Sequence, residues 1–167
     1  ISDFASKIFS SKEVEPSITE DELTEIIETA EEEGVVDEEQ GDMLKSALEF
    51  AKTTVGDIMT MEKDIDYIRL NASQQEILDV IRNTIHSRLP VKADNSGRVV
   101  GILRTRTYLI EYKKNPNVRL RSIMMPPYRV RKDAKIDELL NHMRQHKIQI
   151  AMVLDDDKQI VGLVSIE

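Results

Sequence analysis

The chain has 167 residues, 40% apolar and 32% charged, with no cysteine, no tryptophan and a formal net charge of -8. The missing cysteines exclude a disulfide framework, an iron–sulfur cluster, a thiolate zinc site and a cysteine nucleophile. No apolar run approaches the ~18 to 20 residues of a membrane span and no signal-peptide pattern opens the chain, so this piece reads as soluble, with material for one compact domain or two small ones.

The charge is unevenly placed. Residues 13 to 42 carry fourteen Asp and Glu and no Lys or Arg, whereas residues 43 to 167 carry sixteen acids against twenty-one bases. An acidic segment therefore masks a mildly basic body, and the body is where an anionic ligand is expected.

The acidic segment has helix grammar. Thr19 and Glu22 make a capping box, and Leu23, Ile26, Ile27 and Ala30 follow at helical spacing until Gly34 stops the helix. Asp37 caps a second helix with the stripe Leu44, Ala47, Leu48 and Ala51, and Lys45 and Lys52 stand toward its C-terminal half. Each of these helices has one apolar face that needs a partner.

From Val55 onward the chain repeats itself. Val55-Gly-Asp-Ile-Met-Thr60 aligns with Leu120-Arg-Ser-Ile-Met-Met125, and Val99-Val-Gly-Ile-Leu103 aligns with Ile160-Val-Gly-Leu-Val164. Between them the stripe Ile77, Val80, Ile81, Ile85 corresponds to Ile136, Leu139, Leu140, Met143. Each copy reads as strand, helix, strand, turn, strand. The first copy is predicted as a strand near Ile65 to Leu70, a helix opened by a Ser73/Glu76 capping box, and strands at Arg88 to Ala93 and Val99 to Leu103 around the turn Asp94 to Gly97. A helix over Thr107 to Lys114 follows before Asn115-Pro116-Asn117 breaks it. The second copy is predicted as Tyr128 to Arg131, a helix, then Gln149 to Leu154 and Gln159 to Val164 around Asp155 to Lys158. The chain stops at Glu167, where the matching last helix should begin, so the sequence is expected to be a piece cut at that point.

A tandem pair of such units, opening on Ile-Met and closing on an apolar-Gly-apolar strand, resembles a CBS domain pair, or Bateman module. His86-Ser-Arg-Leu-Pro-Val91, Gly101-Ile-Leu103, Ala151-Met-Val-Leu-Asp155 and Gly162-Leu-Val-Ser-Ile-Glu167 resemble the CBS region of the hemolysin C/CorC-type transporter family. The acidic run at 31 to 39 is similar to that family's linker ahead of the pair. The resemblance implies an α/β (α+β) fold of two CBS repeats, each a small sheet packed with helices, divided as an acidic helical linker at 1–53, repeat 1 at 54–115 and repeat 2 at 116–167. It further implies a regulatory module on the cytoplasmic side of the cell membrane. In the family a membrane domain of the same chain precedes the pair, a small domain often follows it, and the whole is associated with magnesium or cobalt efflux. Ile1 to Phe9 would be the exit from such a membrane domain. A homodimer through the CBS pairs is implied as well.

The family binds adenine nucleotide, so AMP, ADP or ATP is the expected ligand, with magnesium as an optional companion. Physically, such a ligand needs an apolar slot for its base, hydroxyl or carboxylate groups for its ribose, and cations or N–H donors for its phosphates. The family's signature, Gly-apolar-x-Thr/Ser-x-x-Asp, fits Gly162 to Glu167 as far as the chain runs, with Ser165 at the hydroxyl position. In the first copy Arg104 stands at the hydroxyl position and Thr107 at the Asp position, so that site is read as altered, with Arg104 and Arg106 as phosphate ligands instead. The resemblance implies that the better site combines Ser165 with Thr60 and Arg88, whose guanidinium fork suits a phosphate, and Glu167 is counted among the binding residues. Ile58, Met59, Ile68, Leu89 and Pro90 are candidates for the base slot, against the alternative that they are core.

Other residues read more plainly. His142 and His146 share a helix face, without the third ligand a zinc site needs, and are expected on a solvated surface. His86 is expected to pack or hydrogen-bond near the cleft. Asp155 to Asp157 sit where turn residues belong and lack the pattern of a calcium loop. No metal site is expected, no catalytic constellation is present, and aromatics at 4% are too few for a nucleic-acid platform. The sequence therefore reads as a non-enzymatic nucleotide sensor, with a structural dimerisation pair whose nucleotide sites have decayed as the alternative.

Overall fold

The computed structural model describes residues 18–93 and 97–166, and the chain divides into two compact units, Ile1–Glu49 and Phe50–Glu167. In the first unit, helix α1 (Glu20–Glu32) opens on the predicted capping box: the Thr19 hydroxyl accepts from the Glu22 N–H and the Glu22 carboxylate accepts from the Thr19 N–H at 2.6 Å. It ends where Gly34 takes φ +73°. The Val35 and Gly34 N–H groups return to the Ala30 and Glu31 carbonyls at 2.9 and 3.0 Å, satisfying two orphan acceptors of the last turn. Helix α2 (Glu38–Lys52) starts on Asp37, whose carboxylate accepts from the Gln40 N–H at 2.8 Å. Lys45 of α2 pairs with Glu31 of α1 at 3.1 Å. The predicted apolar stripes are split: Ile27, Ala30 and Leu48 are half-buried, whereas Leu23, Ile26 and Leu44 are exposed. A unit of two short helices has one interface, too narrow to cover both stripes.

The second unit holds the repeats. The first contributes α3 (Val55–Ile58), β1 (Thr60–Met61), β2 (Ile68–Arg69), α4 (Gln74–Asn83), β3 (Arg88–Lys92), β4 (Val99–Arg104) and α5 (Thr105–Lys114). The second contributes β5 (Tyr128–Arg131), α6 (Ile136–Gln145), β6 (Ile150–Leu154) and β7 (Ile160–Ser165). The strand expected over Ile65 to Leu70 shrinks to two residues, Ile68–Arg69, and a 3-10 turn at Glu62–Asp64 stands just ahead of the expected span. Helix α4 ends at Asn83, since Thr84 turns extended and gives its hydroxyl to Asp66 at 2.7 Å. Ile85 thus falls off the predicted stripe and stands 95% exposed. Of the turn expected at Asp94 to Gly97, Asp94 to Ser96 lie outside the described residues. The Asp155 turn closes as expected, with the Gln159 N–H donating to the Asp155 carboxylate at 2.8 Å.

Two mixed sheets result, ordered β1-β7-β6-β5 and β2-β3-β4. The opening segments of the repeats are exchanged between them, which the strand-by-strand reading of the sequence did not anticipate. β1, from the first repeat, pairs antiparallel with β7 of the second, Thr60 opposite Leu163. Reciprocally, Met125 of the second repeat exchanges both backbone bonds with Ile102 of β4, at 2.8 and 2.9 Å. Val55, fully buried, packs among Ile136, Leu139, Ala151 and Val164 of the second repeat, and Leu120 packs among Ile68, Leu89, Leu103 and Tyr108 of the first. The repeated motifs meet across this exchange: Met59 lies over Gly162 and Met124 over Gly101, close enough that a Cβ on either glycine would overlap the methionine sulfur. A third cluster, Val99, Ile102, Ile150 and Met152, joins the two sheets.

Candidate nucleotide-binding cavity

The exchange places residues from both repeats around one cavity. Thr60 is fixed by the β1–β7 pairing and Ser165 ends β7 opposite Ile150. Arg88 begins β3 opposite Arg104, followed by buried Leu89 and Pro90. Pro90 is tolerated in this central strand because it faces Ile102, whose backbone groups are both given to Met125, so the missing proline N–H removes no β3–β4 bond there. Thr60, Arg88, Leu89, Pro90 and Ser165 all line the cavity, as the sequence predicts for a shared site.

The cavity also takes Asp64, Asp66, Ile65, Gln149 and Leu163, which sequence reading missed. Ile65 and Leu163 add apolar wall, and the two carboxylates are hydrogen-bond acceptors near Thr60. The only available signal for the acids was their spacing after β1, and in sequence they look like ordinary surface charge. The volume is about 100 Å³, below the ~300 Å³ at which ligand pockets usually begin. One reason is that the Arg88 guanidinium reaches across to hydrogen-bond Gln149, while also donating to the Ser87 hydroxyl at 3.0 Å. His86 lines the same cavity, its N–H donating to the Thr84 hydroxyl at 3.2 Å.

Several expected residues stand elsewhere. Ile68 is core at 1% exposure, Met59 covers Gly162 and Ile58 faces outward, so none of the three reaches the base slot. Met59 and Thr60 are successive residues of extended backbone and so face opposite sides, and the slot is built from β3 and β7 instead. Arg104 lines a second cavity; Arg106 and Thr107 line neither, because α5 begins at Thr105 and carries them away along its first turn. Glu167 lies outside the described residues. His142 is half-buried and not simply solvated: it stacks between Tyr128, with centroids 5.0 Å apart, and His146, at 4.0 Å. Among the described residues no group of acids and histidines is arranged to hold a metal ion.

Two exchanged α/β repeats with cavities along their junction define a tandem-repeat module, and the comparison with known families agrees. The family model for the CBS domain matches residues 55–112 and 120–167, and the chain belongs to that family as a tandem pair. Its pair is of the CNNM/CorC kind. The CBS domain of a bacterial CNNM/CorC family Mg2+ transporter is 30% identical, with a TM-score of 0.75 over 89% of this chain and 91% of that one. The same kind of domain solved in complex with ATP is 29% identical, with a TM-score of 0.71 over 77% of this chain and 92% of that one. The magnesium and cobalt efflux protein CorC of Buchnera aphidicola is 32% identical over 88% of this chain and 52% of its own length. The chain thus spans about half the length of the curated relatives it matches. No helix among the described residues is long and apolar enough to cross a membrane.

Proposed function

We propose that the chain is a non-enzymatic regulatory CBS pair that binds an adenine nucleotide in the Thr60–Arg88–Ser165 cavity. The observation that carries this reading is the convergence of those three residues, from three strands and both repeats, on one apolar-walled space. Leu89, Pro90, Ile65 and Leu163 provide the slot for the base. The Ser165 and Thr60 hydroxyls, with Asp64 and Asp66, provide partners for ribose. Arg88 provides the fork for phosphate, and the two carboxylates suit a magnesium ion arriving with the nucleotide. The ATP complex of the CNNM/CorC relative supports the choice of ligand. Binding would draw Arg88 from Gln149 toward phosphate and so favour one arrangement of the repeats, a population shift that a membrane domain of the parent chain could read. On this reading the pair works at the cytoplasmic face of an efflux-type transporter. It also works as a homodimer, for which Leu109 and Ile110, 44% and 46% exposed on α5, supply apolar surface.

The small volume favours a second reading, a structural pair whose cavity no longer opens. Calorimetry with ATP, with and without magnesium, separates the two. Binding that weakens about tenfold or more in Ser165→Ala and in Arg88→Gln supports the sensor. No heat and no shift in unfolding temperature at millimolar ATP would leave the structural pair.

A further inference from the structure

The exchange generates a second cavity, of about 400 Å³, which shares Arg88, Gln149 and Ile150 with the first. It stands in the corresponding place of the repeat: the Ile102–Met125 bridge that borders it answers to the Leu163–Thr60 pairing beside the first cavity. Its chemistry has diverged. The first cavity balances Arg88 and His86 with Asp64 and Asp66, whereas the second is lined by Arg88, Arg104, Lys147 and His146 and, among the described residues, by no Asp or Glu.

The sheet register sharpens this contrast. Arg88 and Arg104 are direct cross-strand partners on β3 and β4, whereas the matching pair in the second repeat is Ile150 and Ser165. Like charges directly opposite weaken an antiparallel pair, and an anion between them removes that cost. The Arg104 and Lys147 side chains make no hydrogen bond or ion pair with any described residue. Met125, Pro126, Pro127 and Tyr128 form a wall of low polarity beside the cations, which strengthens charge pairing there. Thr107 does not line the cavity, and among the described residues no carboxylate there can take two hydroxyls of a sugar at once.

We propose that this second cavity is a polyphosphate site that recognises a chain of phosphate groups through Arg88, Arg104 and Lys147 and does not read the nucleoside. The chain can belong to free inorganic polyphosphate or to the tail of a nucleoside triphosphate. Because Arg88 serves both cavities, occupancy of one opposes occupancy of the other.

The test is calorimetry of sodium tripolyphosphate and, separately, of ATP with the 167-residue chain at low ionic strength, using wild type, Arg104→Gln, Lys147→Gln and Ser165→Ala. Tripolyphosphate is expected to bind wild type and Ser165→Ala alike and to bind each of the other two variants about tenfold more weakly. Prior saturation with ATP is expected to weaken it. If ATP displaces tripolyphosphate equally well in Ser165→Ala, the nucleotide tail also enters the second cavity, which supports the same site with the second source. Unfolding gives an independent readout. Without ligand, Arg104→Gln should be at least as stable as wild type, because it removes the like-charge pair, and tripolyphosphate should raise the unfolding midpoints of wild type and Ser165→Ala clearly more than those of Arg104→Gln and Lys147→Gln. No tripolyphosphate binding at low millimolar concentration, binding unchanged in Arg104→Gln, or binding lost in Ser165→Ala would each overturn the proposal. Loss of ATP binding with tripolyphosphate binding intact would count against the nucleotide reading of the first cavity and leave this one standing.

Discussion

Gly162 and Gly101 occupy the same place in their repeats but are held by different atoms. A Cβ on Gly162 would lie 2.5 Å from the Thr60 carbonyl oxygen, which is backbone paired into the sheet, whereas a Cβ on Gly101 would meet only the Met124 side chain, at 2.4 Å from its sulfur. A thioether can swing away and a paired strand cannot. Gly162→Ala is therefore expected to lose about 1–3 kcal/mol in urea unfolding, the range of overpacking, and Gly101→Ala clearly less. Displacing β1 also moves Thr60, so Gly162→Ala should weaken ATP binding while Gly101→Ala leaves it nearly unchanged. Both motifs, Ile-Met and apolar-Gly-apolar, stand out in the sequence, and the resemblance they carry together with His86 to Val91 singled out Thr60, Arg88, Leu89, Pro90 and Ser165, which line one cavity. The mutual contacts of the two motifs were not legible: Met59 and Gly162 are about a hundred positions apart, and Met124 meets Gly101 across the boundary between the repeats. Asp64 and Asp66 were illegible for a different reason: they follow a two-residue strand, too short for periodicity to show which way the chain turns.

The helices were the most legible elements because their signals are local. Helix α4 starts at Gln74, one residue after the predicted cap, with the Ser73 hydroxyl accepting from the Glu76 N–H at 3.3 Å and the Glu76 carboxylate accepting from the Ser73 N–H at 2.7 Å. Ser73→Ala should cost about 1 kcal/mol in denaturant unfolding. The Ser73 backbone N–H, then its hydroxyl, with Arg69 adding a smaller effect, hold the Glu76 carboxyl below its ordinary value of 4.5. A depressed carboxylate contributes stability above its unfolded pKa and loses it as pH falls through its folded one. Acidification from neutral pH through 4.5 and below should therefore destabilise wild type more than Glu76→Gln, read as the difference in unfolding midpoint across the titration. Strand pairing had no comparable signal. β1 and β2 have two residues each, and the register of β1 is set by a partner in the other repeat.

At the scale of the whole pair, the exchange makes the two repeats one folding unit although the sequence presents them as two copies. Val55 and Leu120 complete the core of the repeat to which they do not belong, and the cluster Val99, Ile102, Ile150 and Met152 draws equally on both. Burying one aliphatic side chain of this size is worth ~1.5–3 kcal/mol, a large share of the ~5–15 kcal/mol by which a domain is stable. A repeat cut from the pair would lose its exchanged segment, expose the shared cluster and leave β7 or β4 with an unpaired edge. Residues 50–166 are thus expected to unfold in a single transition, seen as one common opening free energy for the slowest-exchanging amides of β3, β4, β6 and β7 in hydrogen exchange. Two separate opening free energies, one for each sheet, would show that the exchanged contacts decorate two independent domains. One common value means that a ligand bridging Thr60, Arg88 and Ser165 stabilises both sheets at once, which is the property a sensor needs in order to pass occupancy of one cavity to the whole pair.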